Sequence, residues 1–323
     1  MRWLIRIADR THPLVLPGAW VLVGLAAYAA VFAASDSGSC CWDNRTQMWG
    51  TALTYSLISG YMLAAITYLY RSHRDTVRTL KPFAPDVRSV DKALADVSPR
   101  VILFAAIFGA LFGVFQFAMV LSGQFELVPL PDVPLIIGNV VLWAVVAFLT
   151  AARLRDALAM RRFSQTLRID LYNLAALRPI GRAAVRDVLV IMGALALMPL
   201  QSLDAEFRWV NYQTGLVLGL ISSMVFFFLP MSGVHGRIRA AKVARIHELQ
   251  GLIDDQDEKD VVALEALVAH RERIAHLSTW PADLSVLSRV GFYLIIPPLA
   301  WVGAALVETL SLIHISEPTR PTT

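Results

Sequence analysis

The chain has 323 residues, of which 56% are hydrophobic and only 17% are charged, and its formal net charge is +4. Soluble globular proteins carry about 25% charged residues, so this composition indicates a membrane protein. The basic residues form short clusters at the ends of apolar runs and no continuous stripe, so we expect no nucleic acid partner.

Seven segments are apolar and close to the length of about 20 residues that crosses a hydrocarbon core of about 30 Å. They predict an all-α polytopic transmembrane helix bundle whose surroundings are the lipid bilayer. Six spans belong to a bundle over residues 1–231, a helical hairpin follows over 232–289, and the seventh span covers 290–309. The segments are Pro13 to Ala34, Met48 to Tyr70, Val101 to Leu121, Val133 to Ala152, Val185 to Leu203, Thr214 to Met231 and Val290 to Thr309.

The distribution of Lys and Arg predicts the orientation of these spans. Outside the C-terminal tail, every Lys and Arg except Arg45 and Arg208 lies in the N-terminal arm or near the loops that follow spans two, four and six. Basic residues are retained on the cytoplasmic side of a membrane. We therefore expect a bacterial inner (cytoplasmic) membrane protein with its N-terminus and these three loops in the cytoplasm.

The first two of these loops contain apolar residues. In the first loop, Val87, Val90, Leu94 and Val97 follow helical spacing, which predicts a short amphipathic helix that lies on the membrane or packs beneath the bundle. The second loop, from Arg153 to Ala184, mixes Arg with Leu and Ile, a composition suited to anionic headgroups. We expect this second loop to contact lipid.

The third loop predicts an antiparallel helical hairpin of coiled-coil type. Val234 to Ile253 continues span six as a helix, and Val261 to Leu277 forms the return helix after an acidic turn. At 1.5 Å per residue, the hairpin reaches about 30 Å into the cytoplasm. It is the largest element outside the spans, so residues 234–277 are the expected contact for a homo-oligomer or a cytoplasmic protein partner.

Catalytic and metal-binding motifs are absent from the sequence. It has no HExxH, GxSxG, P-loop or glycine-rich dinucleotide fingerprint, and no Asp, Glu, Lys, Arg or His in the central part of any span. Intramembrane charges normally mark ion or proton pathways, so we expect no enzyme, no ion coupling, no cofactor and no metal. A metal site formed by His270 and His276 with His247 or His235 is the less favoured alternative to ordinary surface histidines.

Polar and kinking residues within the spans are the candidates for a cavity or a gate. Span two has a polar side of Thr51, Tyr55 and Ser59, with Tyr61 nearby, that is able to line a small cavity. Amide side chains in spans three and four are able to hydrogen-bond between helices, and a double proline in span seven bends the helix and frees carbonyls. The candidates are Thr51, Tyr55, Ser59, Gln116, Asn139, Pro297 and Pro298.

Small residues recur at four-residue spacing in spans two, three and six, a pattern that lets helix backbones approach closely. Examples are Ser56 and Gly60, Gly109 and Gly113, and Gly219. We expect these seams to pack within one chain, with an oligomer contact as the alternative.

Two stretches resemble segments of uncharacterised bacterial multi-pass membrane proteins: IDLYNLAALRPIGRAAVRDVLV (Ile169 to Val190) and FFFLPMSGVHGRI (Phe226 to Ile238). The resemblance implies a similar architecture and no particular activity. The tail LSLIHISEPTR (Leu310 to Arg320) resembles a translated sequencing-library adapter, so we expect residues 310–323 to be an artefact. The intact gene then continues differently, with room for an eighth span.

These features predict a non-enzymatic membrane protein that acts as a sensor, a scaffold or a channel-like assembly through its cytoplasmic hairpin. The alternative is a permease for a neutral or lipophilic small molecule, which the uncharged polar side of span two favours.

Overall fold

The computed structural model describes residues 14–35, 45–120, 133–202, 209–256 and 260–280, together with residues 288, 291, 292, 295, 299 and 303. Within these residues the chain forms helices and no strand, which confirms the all-α prediction. Eight α-helices follow in order: α1 Val15–Ser35, α2 Arg45–Leu80, α3 Val87–Leu94, α4 Pro99–Val120, α5 Val133–Thr166, α6 Arg178–Ala196, α7 Trp209–Asp254 and α8 Val261–His276. Short 3-10 segments lie at Lys81–Phe83, Leu174–Leu177 and Met198–Ser202.

Six of these helical segments are long and apolar enough to cross a membrane, and they contain α1, α2, α4, α5, α6 and α7. They correspond to the first six predicted spans, so the chain is a multi-pass membrane protein. Only residues 291, 292, 295, 299 and 303 of the seventh predicted span, Val290 to Thr309, are described, and the adapter-like tail lies outside the described residues.

Three helices are longer than a bilayer crossing requires. α2 has 36 residues, α5 has 34 and α7 has 46, whereas a span needs about 20. The extra turns of all three project at the end of the bundle where α2 and α5 finish and α4 and α6 begin. This end carries most of the basic residues, and we call it the basic end.

The buried core has two parts. One cluster joins α2, α5 and α6 in the middle of the bundle and includes Ile66, Leu142 and Val190. The larger cluster joins α2, α3, α5, α6 and α7 at the basic end and continues between α6 and α7 as far as Leu195 and Tyr212. Its largest fully buried members include Leu80, Leu167, Ile180, Met231 and Ile238.

The loops at the basic end pack into that larger cluster. The predicted helix in the first loop is α3, and its Val90 and Ala93 are buried against the bundle. Of the two predicted alternatives, α3 therefore packs beneath the bundle and does not lie on the membrane. The expectation of lipid contact for the second loop does not hold for two of its apolar residues. Leu167 is fully buried, and Leu177 is 3% exposed, because α5 continues to Thr166 and returns the chain onto the bundle.

The predicted hairpin is formed by the end of α7 and by α8, within a residue or two of its expected limits. Leu249 and Ile274 are buried between the two helices. Lys242 donates to the carbonyl oxygens of Ala275 and Leu277, and Arg271 donates to Gln250 at 2.6 Å. These contacts hold the return helix along α7.

The glycine seams pack within the chain. A Cβ atom added to Gly113 would lie 2.9 Å from the Cα of Val140, and one added to Gly109 would lie 2.9 Å from the Cα of Ala144. The close approach of α4 to α5 therefore requires glycine, because backbone atoms cannot move aside as a side chain can. α4 otherwise exposes many large apolar side chains, as a helix facing lipid does.

Candidate functional site

An open cleft of about 630 Å³ lies between α1, α2 and α5. None of the described residues that line it is charged, and its exposed rim is made by apolar residues such as Val23, Val133 and Ile137. In a bundle that crosses a membrane, an exposed apolar rim faces lipid. The cleft therefore opens to the hydrocarbon of the bilayer, and its volume is in the range of about 300–1,000 Å³ that is usual for small-molecule sites.

Tight contacts between α1 and α2 form one wall of the cleft. The indole nitrogen of Trp20 donates to the hydroxyl of Ser59 at 2.9 Å. A Cβ atom at Gly60 would lie 3.2 Å from the carbonyl oxygen of Pro17, and one at Gly24 would lie 2.8 Å from Oγ of Ser56. Small residues thus bring α1 against α2, as the spacing of Ser56 and Gly60 predicts.

Two tyrosines and a glycine meet on the side of the cleft that α5 provides. A Cβ atom added to Gly138 would collide with the phenol oxygen of Tyr28 and would lie 3.1 Å from the ring of Tyr55. Tyr28 is 6% exposed and belongs to α1, whereas Tyr55 belongs to α2. The absence of a side chain at Gly138 makes room for both rings to approach α5.

Two of the predicted cavity residues, Tyr55 and Ser59, line this cleft. Thr51 does not, although it has a polar contact of its own. Tyr61 turns to another side of α2, where its hydroxyl donates to the carbonyl oxygen of Val190 at 3.0 Å. The polar side of span two is therefore divided between the cleft and the contact with α6.

The predicted amide residues form a bond between α4 and α5. Asn139 is 2% exposed, and its amide nitrogen donates to the carbonyl oxygen of Gly113 at 2.8 Å and to Oε1 of Gln116 at 3.0 Å. Their geometry is that of helix packing, and neither residue lines the cleft. Pro297 and Pro298 lie outside the described residues.

A buried charged network lies between the two parts of the core. Arg153 of α5 donates to both carboxylate oxygens of Asp187 of α6 at 2.8 Å, and to Asp156 at 2.9 Å. All three residues are at most 7% exposed. Arg155 reaches the second oxygen of Asp156 at 3.1 Å, so two cations balance two carboxylates.

The network also ties α2 and α3 to the bundle. His73 of α2 is 6% exposed, and its Nε2 lies 3.0 Å from the carbonyl oxygen of Ala93. Because a carbonyl oxygen only accepts, Nε2 of His73 carries the proton. Arg186 donates to the hydroxyl of Ser72 at 2.8 Å. Four helices thus meet around one set of polar side chains.

This network was not predicted from the sequence. Arg153 falls in the predicted second loop, and neither Asp156 nor Asp187 is among the predicted site residues. The available signal was the charge pattern itself: Arg153 and Asp156 lie one helical turn apart immediately after an apolar run, and Asp187 stands among Val, Leu and Ala. A charge that continues an apolar helix is often buried and paired.

The histidines proposed as metal ligands lie in separate contacts. His235 stacks on Trp280 with ring centres 4.7 Å apart, and His270 contacts the hydroxyl of Tyr172. Among the residues that the structure describes, no three His, Cys, Asp or Glu side chains form a group that could hold a metal ion.

Comparison with known proteins identifies no relative, since no family model, no curated protein and no solved structure matches the chain.

The chemistry of the two polar regions distinguishes the candidate functions. The charged network is satisfied almost entirely by its own members, with only Nε of Arg153 lacking a partner there. The cleft, by contrast, is a space between described helices whose described lining residues are uncharged, and it is the candidate site for a small molecule.

Proposed function

We propose that the chain is a non-enzymatic multi-pass membrane protein that binds a neutral, lipophilic small molecule in the cleft and acts as a sensor through its α7 and α8 hairpin. The cleft is the observation that supports this proposal. It opens between apolar side chains, its described lining residues offer no charged group to an ionic ligand, and it has the volume of a small-molecule site.

A continuous path of packed helices connects the cleft with the hairpin. α5 lines the cleft near its beginning at Ile137 and Gly138, and it packs along α7 over much of its length. At the basic end, a Cβ atom at Gly233 of α7 would collide with Ser164 and with the backbone of Arg161 of α5. We therefore expect a movement of α5 to displace the base of the hairpin, because the two helices are in direct contact there.

The hairpin has features of an output element. Its exposed apolar side chains include Val243, Leu252, Val261 and Val262, and Val262 is 81% exposed. Apolar side chains in water are a common feature of protein contacts. We place the hairpin and the N-terminus in the cytoplasm of a bacterial cell, at its inner membrane, because the positive-inside rule applies to the basic end.

A test combines ligand binding with hairpin movement. The full-length protein is reconstituted in lipid nanodiscs with spin labels at Val243 and Val262, and a lipophilic probe carrying a diazirine is added. We expect the probe to label cleft residues on irradiation and to change the distance distribution between the labels. Ile137→Trp, on the exposed rim, should block both effects, whereas Leu103→Trp on exposed α4 serves as the matched control. Labelling spread evenly over all lipid-facing helices would contradict the proposal.

A permease for the same class of molecule is the second candidate, and the packing of α1 favours it. α1 is the least buried of the six candidate spans, and it is held mainly along α2. A helix held on one side is able to move outward and open the cleft. Uptake of neutral lipophilic probes into proteoliposomes separates the two candidates, since a sensor binds the probe without accelerating its transfer.

A further inference from the structure

The cleft contains more hydroxyl groups than its own hydrogen bonds use. Ser59 is fully engaged, because its hydroxyl accepts from Trp20 and donates to the carbonyl oxygen of Tyr55 at 2.5 Å. Ser56 differs: it lines the cleft, it is 4% exposed, and its Oγ has no hydrogen-bond partner. No hydrogen bond joins the phenol of Tyr28 or that of Tyr55 to another described residue.

An unpartnered hydroxyl at such a position is unusual. A serine inside a helix normally donates to a carbonyl oxygen of the preceding turn, as Ser223 does to Gly219 at 2.8 Å. A buried polar group without a partner costs about 1–3 kcal/mol. Ser56 carries this cost. A buried hydroxyl without a partner, beside two phenols that no hydrogen bond joins to the described residues, therefore indicates a polar group supplied from outside the protein.

The positions of these hydroxyls indicate where that polar group lies. Ser56 is about 12 Å along α2 from Met48, the start of the predicted span, at 1.5 Å per residue. This depth is well inside a hydrocarbon core of about 30 Å. Tyr28 and Tyr55 converge at Gly138 of α5, whereas the hydroxyl of Ser56 lies beside Gly24 of α1, and all three residues line the cleft.

The same positions exclude an ionic head group. None of the described residues that line the cleft is charged, and a charge at this depth without a partner is strongly disfavoured. A pure hydrocarbon would fill the space but would leave the hydroxyls without partners. A neutral group that accepts hydrogen bonds, whether or not it also donates them, satisfies the hydroxyls without placing a charge inside the membrane.

We propose, on the basis of the function proposed above, that the ligand is a neutral amphiphile with one carbonyl or hydroxyl as its polar group. That group hydrogen-bonds to the phenols of Tyr28 and Tyr55 and to the hydroxyl of Ser56, and the apolar chain leaves the cleft past Val23 and Ile137 into lipid. Molecules of this class include long-chain alcohols, ketones and quinone-like rings.

The test compares three photoreactive probes with the same alkyl chain and the same diazirine: an alkane, an alcohol and a trimethylammonium. Each is titrated against full-length protein in nanodiscs of neutral phospholipid, and labelling of α1, α2 and α5 is quantified by peptide mass spectrometry. We expect the alcohol to label the cleft at a concentration at least tenfold lower than the alkane, and the trimethylammonium to label it least. Each hydrogen bond of about 1 kcal/mol corresponds to about a fivefold change in affinity.

Variants then assign the preference to the hydroxyls. Tyr28→Phe, Tyr55→Phe and Ser56→Ala should each lower the advantage of the alcohol about fivefold and leave labelling by the alkane unchanged. Unchanged alkane labelling shows that the cleft remains folded. Tyr61→Phe, which removes a phenol of the same helix outside the cleft, and Ser223→Ala, in α7, are the matched controls.

Each outcome is decisive. If alkane and alcohol label the cleft equally, or if the trimethylammonium labels it as well as the alcohol, the ligand class is wrong while lipophile binding in the cleft stands. If no probe labels the cleft above the level of other lipid-facing helices, both the ligand class and the proposed function are overturned. If the tyrosine variants keep the preference for the alcohol, a different group makes the polar contact and the proposed recognition is wrong.

Discussion

Replacing Asp187 by Asn tests whether the buried network holds the bundle together. The substitution keeps the shape of the side chain but removes the charge that receives two hydrogen bonds of 2.8 Å from Arg153. Arg153 is 7% exposed, and its remaining carboxylate, Asp156, is shared with Arg155. The variant therefore leaves one excess positive charge in the interior.

The expected cost follows from the burial of this pair. Removing one partner of a buried ion pair destabilises a protein by about 3–5 kcal/mol, because the other charge stays buried without compensation. The exposed pair of Asp75 and Arg78 provides the matched control, since its side chains are 68% and 64% exposed and 3.4 Å apart. Asp75→Asn should cost less than about 1 kcal/mol.

A measurement of reversible unfolding in mixed micelles, with both variants beside the wild type, compares these free energies. The double variant Arg153→Met with Asp187→Leu removes both charges and should recover most of the lost stability, since buried ion pairs are often replaceable by apolar residues. If Asp187→Asn differs from Asp75→Asn by less than about 1 kcal/mol, water or lipid head groups reach Arg153 and the network is not buried as described.

Three further predictions concern other contacts. Gly109→Val should separate α4 from α5 and lower the midpoint of thermal unfolding by several degrees. Gly18 has open space beside it, so Gly18→Val should leave the midpoint unchanged. Equal midpoints in the two variants would contradict the close backbone contact. Asn139→Leu should cost about 1–3 kcal/mol in the same unfolding assay, because the substitution leaves acceptors on α4 without a donor; no loss would show that the amide bond adds nothing to stability. Hydrogen bonds from the backbone N–H and hydroxyl of Ser89 hold the pKa of Asp86 below its usual value of 3.8. The carboxylate of Asp86 therefore caps α3 fully above pH about 5, and the cap weakens only as the pH falls through the lowered pKa. Hydrogen exchange at the backbone amide of Ser89 should become faster at acidic pH in the wild type than in an Asp86→Asn variant. An identical pH dependence of exchange in both proteins would show that the Asp86 carboxylate does not protect this amide.

Several structural features follow directly from local patterns in the sequence. The first six spans, α3 and both helices of the hairpin are all found, because each depends on the length of an apolar run or on helical spacing over a few turns. Their limits agree less well: α2 and α5 continue beyond the predicted ends at Tyr70 and Ala152 to Leu80 and Thr166, and α6 begins at Arg178, before the predicted start at Val185. The glycine and serine positions that let α1 meet α2, and α4 meet α5, also follow from four-residue spacing. This spacing does not determine which helix packs against each row of small residues.

The candidate site was predicted only in part. Tyr55 and Ser59 line the cleft because they share one face of α2, a property that helical spacing reveals. The contributions of Tyr28, Gly24 and Gly138 come from two other helices, and nothing near them in the chain marks them as neighbours.

The sequence by itself determined that this chain is a multi-pass helical membrane protein with its charge gathered at one end, because hydrophobicity and charge act on each segment separately. The tertiary structure decided which segments meet. Arg153 and Asp187 look like charges at the ends of two spans until α5 and α6 pack side by side, and the free hydroxyls of the cleft become a site only when three helices surround them. Contacts between distant segments depend on the packing of the whole bundle, and a pattern within one segment does not carry that information.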